Sequence, residues 1–120
     1  MELKYRNSHN KISIAELTDK NFLISQSQDV LDIFGNLISK DCERIIIHER
    51  NFHADFFDLK SRLAGEVLQK FSNYRVKLAI VGDFAKYKSK RLQDFILESN
   101  KTNTVFFTDN INLAIQRLGR

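Results

Sequence analysis

The run from Phe56 to Phe84, FFDLKSRLAGEVLQKFSNYRVKLAIVGDF, constrains the fold of this chain more than any other part. Leu63, Ala64, Val67, Leu68 and Phe71 recur at helical spacing, so a helix from about Asp58 to Phe71 has one apolar stripe that must be covered. Ser72-Asn73-Tyr74 ends it. Val76 to Val81 is then apolar almost without a break, the pattern of a strand buried on both faces, and Gly82-Asp83 closes it. A helix followed at once by such a strand is one unit of a layered α/β domain. Arg44 to His48, with its three consecutive Ile, is a second strand of the same kind.

The remaining segments extend this unit. Lys11 to Leu17 alternates, Phe22 to Ser25 is a second short β-like run, and Thr18-Asp19-Lys20-Asn21 between them has turn chemistry. Together they predict a β-hairpin. Ser25 or Ser27 is positioned to cap a helix whose stripe is Val30, Leu31, Ile33, Phe34, Leu37 and Ile38. A third helix is expected over about Ser89 to Glu98, a last strand over Thr104 to Phe107, and a final helix capped by Asp109 with Ile111, Ala114, Ile115 and Leu118 inward. The order β-β-α-β-α-β-α-β-α predicts a single α/β domain over residues 1–120. Its sheet should be mixed but largely parallel, with flanking helices, and residues 1–10 are read as a flexible N-terminal extension.

Composition narrows the class. The chain has 120 residues, enough for one real core, with 42% hydrophobic and 28% charged residues. Cys42 is the only cysteine, so no disulfide framework or cysteine-based metal site is expected. No apolar run approaches the roughly 20 residues that span a bilayer. MELKYRNSHNK lacks the apolar middle of a signal peptide, and a cytoplasmic protein without membrane partners is expected. The formal net charge of +4 is modest. Much of it lies in Lys86, Lys88, Lys90 and Arg91, with further cations at Lys4, Arg6, Arg117 and Arg120. With no polybasic tail or aromatic RNA-binding signature, nucleic acid is not the expected partner.

In a parallel sheet, ligands gather outside the carboxyl ends of the strands. Here those ends lead into His48 to Asp58, Gly82 to Ser89 and Thr108 to Asn110. Asp55, Asp58 and Ser61 sit at the start of the second helix. The two acids read as caps, whereas Ser61 reads either as a cap or as a docking or phosphorylation position, with Lys60 and Arg62 beside it. Asp83 ends its strand where acids are placed for chemistry. With Asp58 and Asp109 it would make an Mg²⁺ site, but each also has a turn or capping role. His48, Glu49 and His53 follow no metal-binding spacing, and no nucleophile elbow occurs, so no catalytic set, cofactor or metal is assigned. Lys86, Lys88, Lys90 and Arg91 crowd the start of the third helix, where cations oppose the dipole. They read as an anion site for a phosphate-bearing ligand or as solvated surface.

FFDLKSRLAGEVLQKFSNYRVKLAIVGDF, with the upstream RIIIHE and the later DFILESN, resembles the bacterial domain-of-unknown-function family 4180 from about Lys11 to Leu118. Arg62 stands where members of that family more often have Gly. The element order also resembles the STAS domain, a non-enzymatic regulator that docks a partner kinase through the start of its second helix. There a Ser is phosphorylated to break the complex, and Ser61 occupies a comparable place. The resemblance implies a regulatory or protein-interaction module docking through Ser61, and the polar carboxyl edge without a catalytic set adds Asp58, Arg62 and Asp83 to the expected docking residues. The alternative is a small-molecule, nucleotide or anion binder, extending to a weak Mg²⁺-dependent phosphohydrolase using Asp58 and Asp83.

Overall fold

The strands form as β1 (Leu3–Asn7), β2 (Ser13–Leu17), β3 (Arg44–His48), β4 (Lys77–Val81) and β5 (Val105–Thr108). The helices are α1 (Val30–Ser39), α2 (Leu63–Asn73), α3 (Lys90–Ser99) and α4 (Ile111–Leu118), in a computed structural model that describes residues 1–120. All five strands join one sheet in the order β1-β2-β3-β4-β5, with β1 antiparallel to β2 and every other pair parallel. The predicted element order and largely parallel sheet are therefore present. No helix is long and apolar enough to cross a membrane.

The strand order determines the layering. Each crossover moves one strand onward in the same direction, and crossovers of the usual right-handed sense then place α1, α2 and α3 on a single face. The core agrees with this. Ile45, Ile47, Leu78 and Ile80 pack with Val30, Phe34, Val67, Phe71 and Leu92 in one cluster. The alternate residues Ile14, Ile46 and Ala79 pack with Ala114 and Leu118 of α4 in a second, smaller cluster on the opposite face. This accounts for the three consecutive Ile of β3: the middle one faces α4 while its neighbours face the three crossover helices. Because the order never reverses, the sheet has no switch point of the kind that opens a ligand crevice in doubly wound folds.

The opening hairpin differs from expectation. Its strands are Leu3–Asn7 and Ser13–Leu17, so residues 1–10 supply the edge strand β1 rather than an extension. Phe22 to Ser25 is loop, with a single bridge between Ile24 and Phe52. Its backbone is claimed elsewhere. Asn51 Nδ2 donates to the carbonyls of Asp19 and Phe22, each at 2.9 Å, and the Ile24 N–H donates to the Asn51 carbonyl at 2.7 Å. The hairpin turn instead holds the end of α4, where Ser8 Oγ and Asn10 Nδ2 both donate to the Gly119 carbonyl. A Cβ on Gly119 would lie 2.6 Å from Ser8 Cβ, so glycine allows this close approach.

The caps also shift. Asp29 accepts the backbone N–H groups of Ser25 and Gln26 before α1, in place of the predicted serine caps. Asn110, not Asp109, caps α4 by accepting from the N–H groups of Asn112 and Leu113. Ser89 caps α3, accepting from Leu92.

The outer edge of β5 is blocked by a side chain. Asn100 Oδ1 accepts the Phe107 N–H at 2.7 Å and Asn100 Nδ2 donates to the Phe107 carbonyl at 3.0 Å, as a neighbouring strand would. Asn100→Ala is expected to lower unfolding stability by about 1–3 kcal/mol, because two groups of a buried residue lose their partners. It should also cause concentration-dependent association through the reopened edge. Urea denaturation and light scattering read the two effects.

Candidate functional site

The chain leaves β3 in a corner, residues 49–62, that is built from three short 3-10 turns rather than a helix start. Its underside is aromatic. Phe52 and Phe56 lie 4.3 Å apart by ring centroid and Phe56 and Phe57 lie 5.0 Å apart, and all three are buried. Burying such rings holds the corner down while its polar residues face out. His53 Nδ1 accepts the Asp55 N–H at 3.0 Å, and Asp58 Oδ1 accepts the Lys60 N–H at 3.1 Å. Asp58 thus caps a short turn and does not begin α2. The helix starts later, at Leu63, because Arg62 is left-handed with φ 68°. Ser61 bridges the break: its hydroxyl donates to the Asp55 carbonyl at 2.5 Å and accepts the Leu63 N–H at 3.2 Å.

Beside this corner, Glu49 organises the loop after β4. Its Oε1 accepts the Asp83 N–H at 3.0 Å, and its Oε2 accepts from the Tyr87 hydroxyl at 2.5 Å and from Lys86 Nζ at 2.9 Å. Gly82 makes room for it, since a Cβ there would lie 2.5 Å from Glu49 Cβ. Burial raises the Glu49 carboxyl, but the bonds from Tyr87, Lys86 and the Asp83 N–H together outweigh it, and its pKa falls below the ordinary 4.5. Burial, then the adjacent carboxylate, pushes the Tyr87 hydroxyl well above its ordinary value. The Tyr87 ring stacks on Phe57 with centroids 5.0 Å apart and planes 17° apart, which joins the two loops.

The sequence-predicted residues therefore divide into two groups. Ser61 opens onto a polar groove of about 300 Å³ shared with Ser25, Gln26, Ser27, Gln28 and Glu66. Asp83 belongs with Glu49, Lys86 and Tyr87, and no hydrogen bond links it to Ser61. Asp58, Ser61, Arg62 and Asp83 are all exposed. Among the candidate anion ligands, Lys86 pairs with Glu49 and Lys90 with Asp94, while Lys88 and Arg91 are exposed and form no ion pair. His48 turns to the other face of the sheet, its Nε2 lying 2.8 Å from Glu16 Oε2, and Glu16 also accepts from Arg6 at 2.6 Å. No three His, Cys, Asp or Glu side chains converge, so Asp58, Asp83 and Asp109 do not form a common metal-binding group. Sequence reasoning did not anticipate Glu49 and Tyr87 as a pair. The one local signal was Gly82, whose missing side chain leaves the space that Glu49 fills.

Fold and site together define a singly wound α/β domain with an exposed polar corner at its carboxyl edge and an open groove instead of a closed crevice. The chain belongs to the family described as domain of unknown function (DUF4180), the match covering residues 9–118. Neither a curated protein nor a solved structure matches the chain.

Two substitutions probe the corner. Arg62→Gly is expected to raise unfolding stability by roughly 0.5–1 kcal/mol, relief of the left-handed strain exceeding the added flexibility of the unfolded chain. Thermal or urea denaturation measures it. Glu49→Gln replaces an acceptor with an amide that faces two donors, and should cost about 1–3 kcal/mol at neutral pH. Because folding depresses the Glu49 pKa, the stabilisation is fully present above the ordinary value of 4.5 and is lost as pH falls through the folded value. The stability gap between wild type and Glu49→Gln should therefore narrow on acidification. A gap that is constant from neutral pH to below that range would show that the carboxylate charge is not what holds the loop.

Proposed function

We propose that this protein is a cytoplasmic regulatory or protein-interaction module that docks a partner through the corner preceding α2, with Asp58, Ser61 and Arg62 at the contact and the Asp83–Lys88 loop as its flank. The observation that carries the reading is the arrangement at Ser61. An exposed hydroxyl holds a strained corner closed by donating to the Asp55 carbonyl, and it borders a groove lined by hydroxyl, amide and carboxylate side chains, the last from Asp55 and Glu66. A one-way sheet supports a surface function over an enclosed one, since no strand reversal opens a crevice for a small substrate. The STAS-like element order points the same way, as an argument from fold analogy.

The chemistry suggests how such a surface is switched. Phosphorylation of Ser61 removes the proton that is donated to the Asp55 carbonyl and sets a dianion beside Asp55 and Asp58. Repulsion then opens the corner, while Arg62 and Lys60 supply new donors for the phosphate. The partner-bound form is the closed corner, and the phosphorylated form releases it.

Pull-down from native-level expression, compared across variants, tests the reading. Wild type should retain a defined partner, and Ser61→Asp should lose it while keeping the fold by circular dichroism. Ser61→Ala, which lacks the cap but adds no charge, should cost about 1 kcal/mol of stability and weaken docking less. No partner at all, or equal retention by wild type and both variants, would reject the docking surface.

A further inference from the structure

The chain's excess positive charge collects at the opposite end of the sheet from the loops discussed so far. Every loop at the carboxyl edge carries at least one Asp or Glu, from Asp19 after β2 to Asp109 after β5. At the amino edge the acids are Asp41 and Glu43, both between α1 and β3, and Glu98 in the last turn of α3. Against them, the strand starts bring Arg44 and Lys77, the loops bring Lys40, Arg75 and Lys101, and the end of α4 brings Arg117 and Arg120. Residues far apart in sequence produce this charge field. It arises because parallel strands put all of their starts together.

Within this edge lies a cleft of about 160 Å³ between the α3–β5 loop and the end of α4. Lys77, Arg117 and Arg120 line it together with Thr102, Asn103 and Thr104, and no Asp or Glu side chain does. Two other cations of the edge are already engaged. Lys101 pairs with Glu98, and Arg44 donates to the carbonyls of Leu118 and Arg120. Lys77, Arg117 and Arg120 form no ion pair. Arg117 is held in place nonetheless: its Nη2 donates to the Asn100 and Thr102 carbonyls at 2.8 and 2.9 Å, and its guanidinium lies 4.6 Å over the Phe106 ring. A fixed guanidinium with Nε and Nη1 free of protein partners is preorganised for an oxyanion. Three like charges around one cleft repel each other until an anion enters, so occupancy relieves a strain that the empty site carries.

We propose that this amino-edge cleft binds a phosphate-type anion, the phosphate or diphosphate group of a small phosphorylated molecule, independently of the docking corner at the other end of the sheet. Lys77 and Arg120 supply charge, Arg117 supplies a planar fork, and Thr102 and Thr104 supply hydroxyl donors.

Titration of the full chain with inorganic pyrophosphate and with inorganic phosphate, followed by amide NMR and calorimetry, tests the proposal. Saturable shifts are expected at Lys77, at Thr102 to Phe106 and at Arg117. Lys77→Gln and Arg120→Gln should each weaken binding roughly tenfold. A double variant at the far edge, Lys88→Gln with Arg91→Gln, should bind as wild type, and circular dichroism confirms that each variant is folded. The proposal is overturned if neither anion gives saturable shifts, or if the far-edge variant loses as much affinity as Lys77→Gln. Retention of an oligonucleotide without any response to pyrophosphate would also overturn it, in favour of an extended nucleic-acid surface.

Discussion

Because each crossover advances the sheet by one strand in the same sense, three helices crowd onto one face and the other is left to α4. The unequal layers follow from this. The larger cluster gathers residues from α1, α2, α3 and the corner aromatics, whereas the smaller one is built around Ala114 and Leu118. The same constraint separates the two ends of the sheet chemically. At the carboxyl edge, loops run from strand to helix and carry caps, which are mostly Asp, Asn and Ser. At the amino edge, loops run from helix to strand, where cations suit the negative ends of the helix dipoles.

Adjacent residues at the end of β3 serve different loops. His48 turns back toward Glu16 and Arg6 on the α4 side, Glu49 reaches forward to the loop after β4, and Asn51 reaches back to the loop after β2. Three residues within four consecutive positions therefore tie three segments to one strand end. Asn51 is fully buried, and Glu49 has only 17% of its side chain exposed, so both connections are protected from water. The loop after β4 is held twice, by the Glu49 carboxylate and by the stacking of Tyr87 on Phe57. A rigid carboxyl edge results even though little of it is regular secondary structure.

Much of the architecture was legible because doubly covered strands and amphipathic helices have local signatures. Three consecutive Ile in β3 and the stripe through Leu63, Val67 and Phe71 needed no distant information. The hairpin was misread because an edge strand resembles a polar tail. In β1 only Leu3 and Tyr5 are apolar, alternating with Lys4 and Arg6, and water covers much of it. Phe22 to Ser25 reads as a strand because Phe22, Leu23 and Ile24 form a short apolar run, yet the backbone hydrogen bonds of the buried Ile24 go to Asn51 and His53. At the candidate site, Asp58 and Ser61 were legible as capping residues, while the break at Arg62 was not. The pairing of Glu49 with Tyr87 spans 38 positions, and no spacing rule reaches across that distance. The basic amino edge was hidden for the same reason, since the sequence scatters its members and only the topology assembles them.

The clasp between Ser8 and Gly119 joins groups 111 positions apart. Contacts of that separation carry the largest loop-closure entropy in the molecule and are made late in folding. On a ribosome, the β1–β2 turn emerges before the rest of the sheet and waits through 111 further positions before its partner exists. Until then the α4 face of the sheet, with Ile14, Ile46 and Ala79, is open to solvent. The nascent domain is therefore layered on one side and bare on the other through most of its synthesis. The docking of α4 is what converts a half-covered sheet into a closed one.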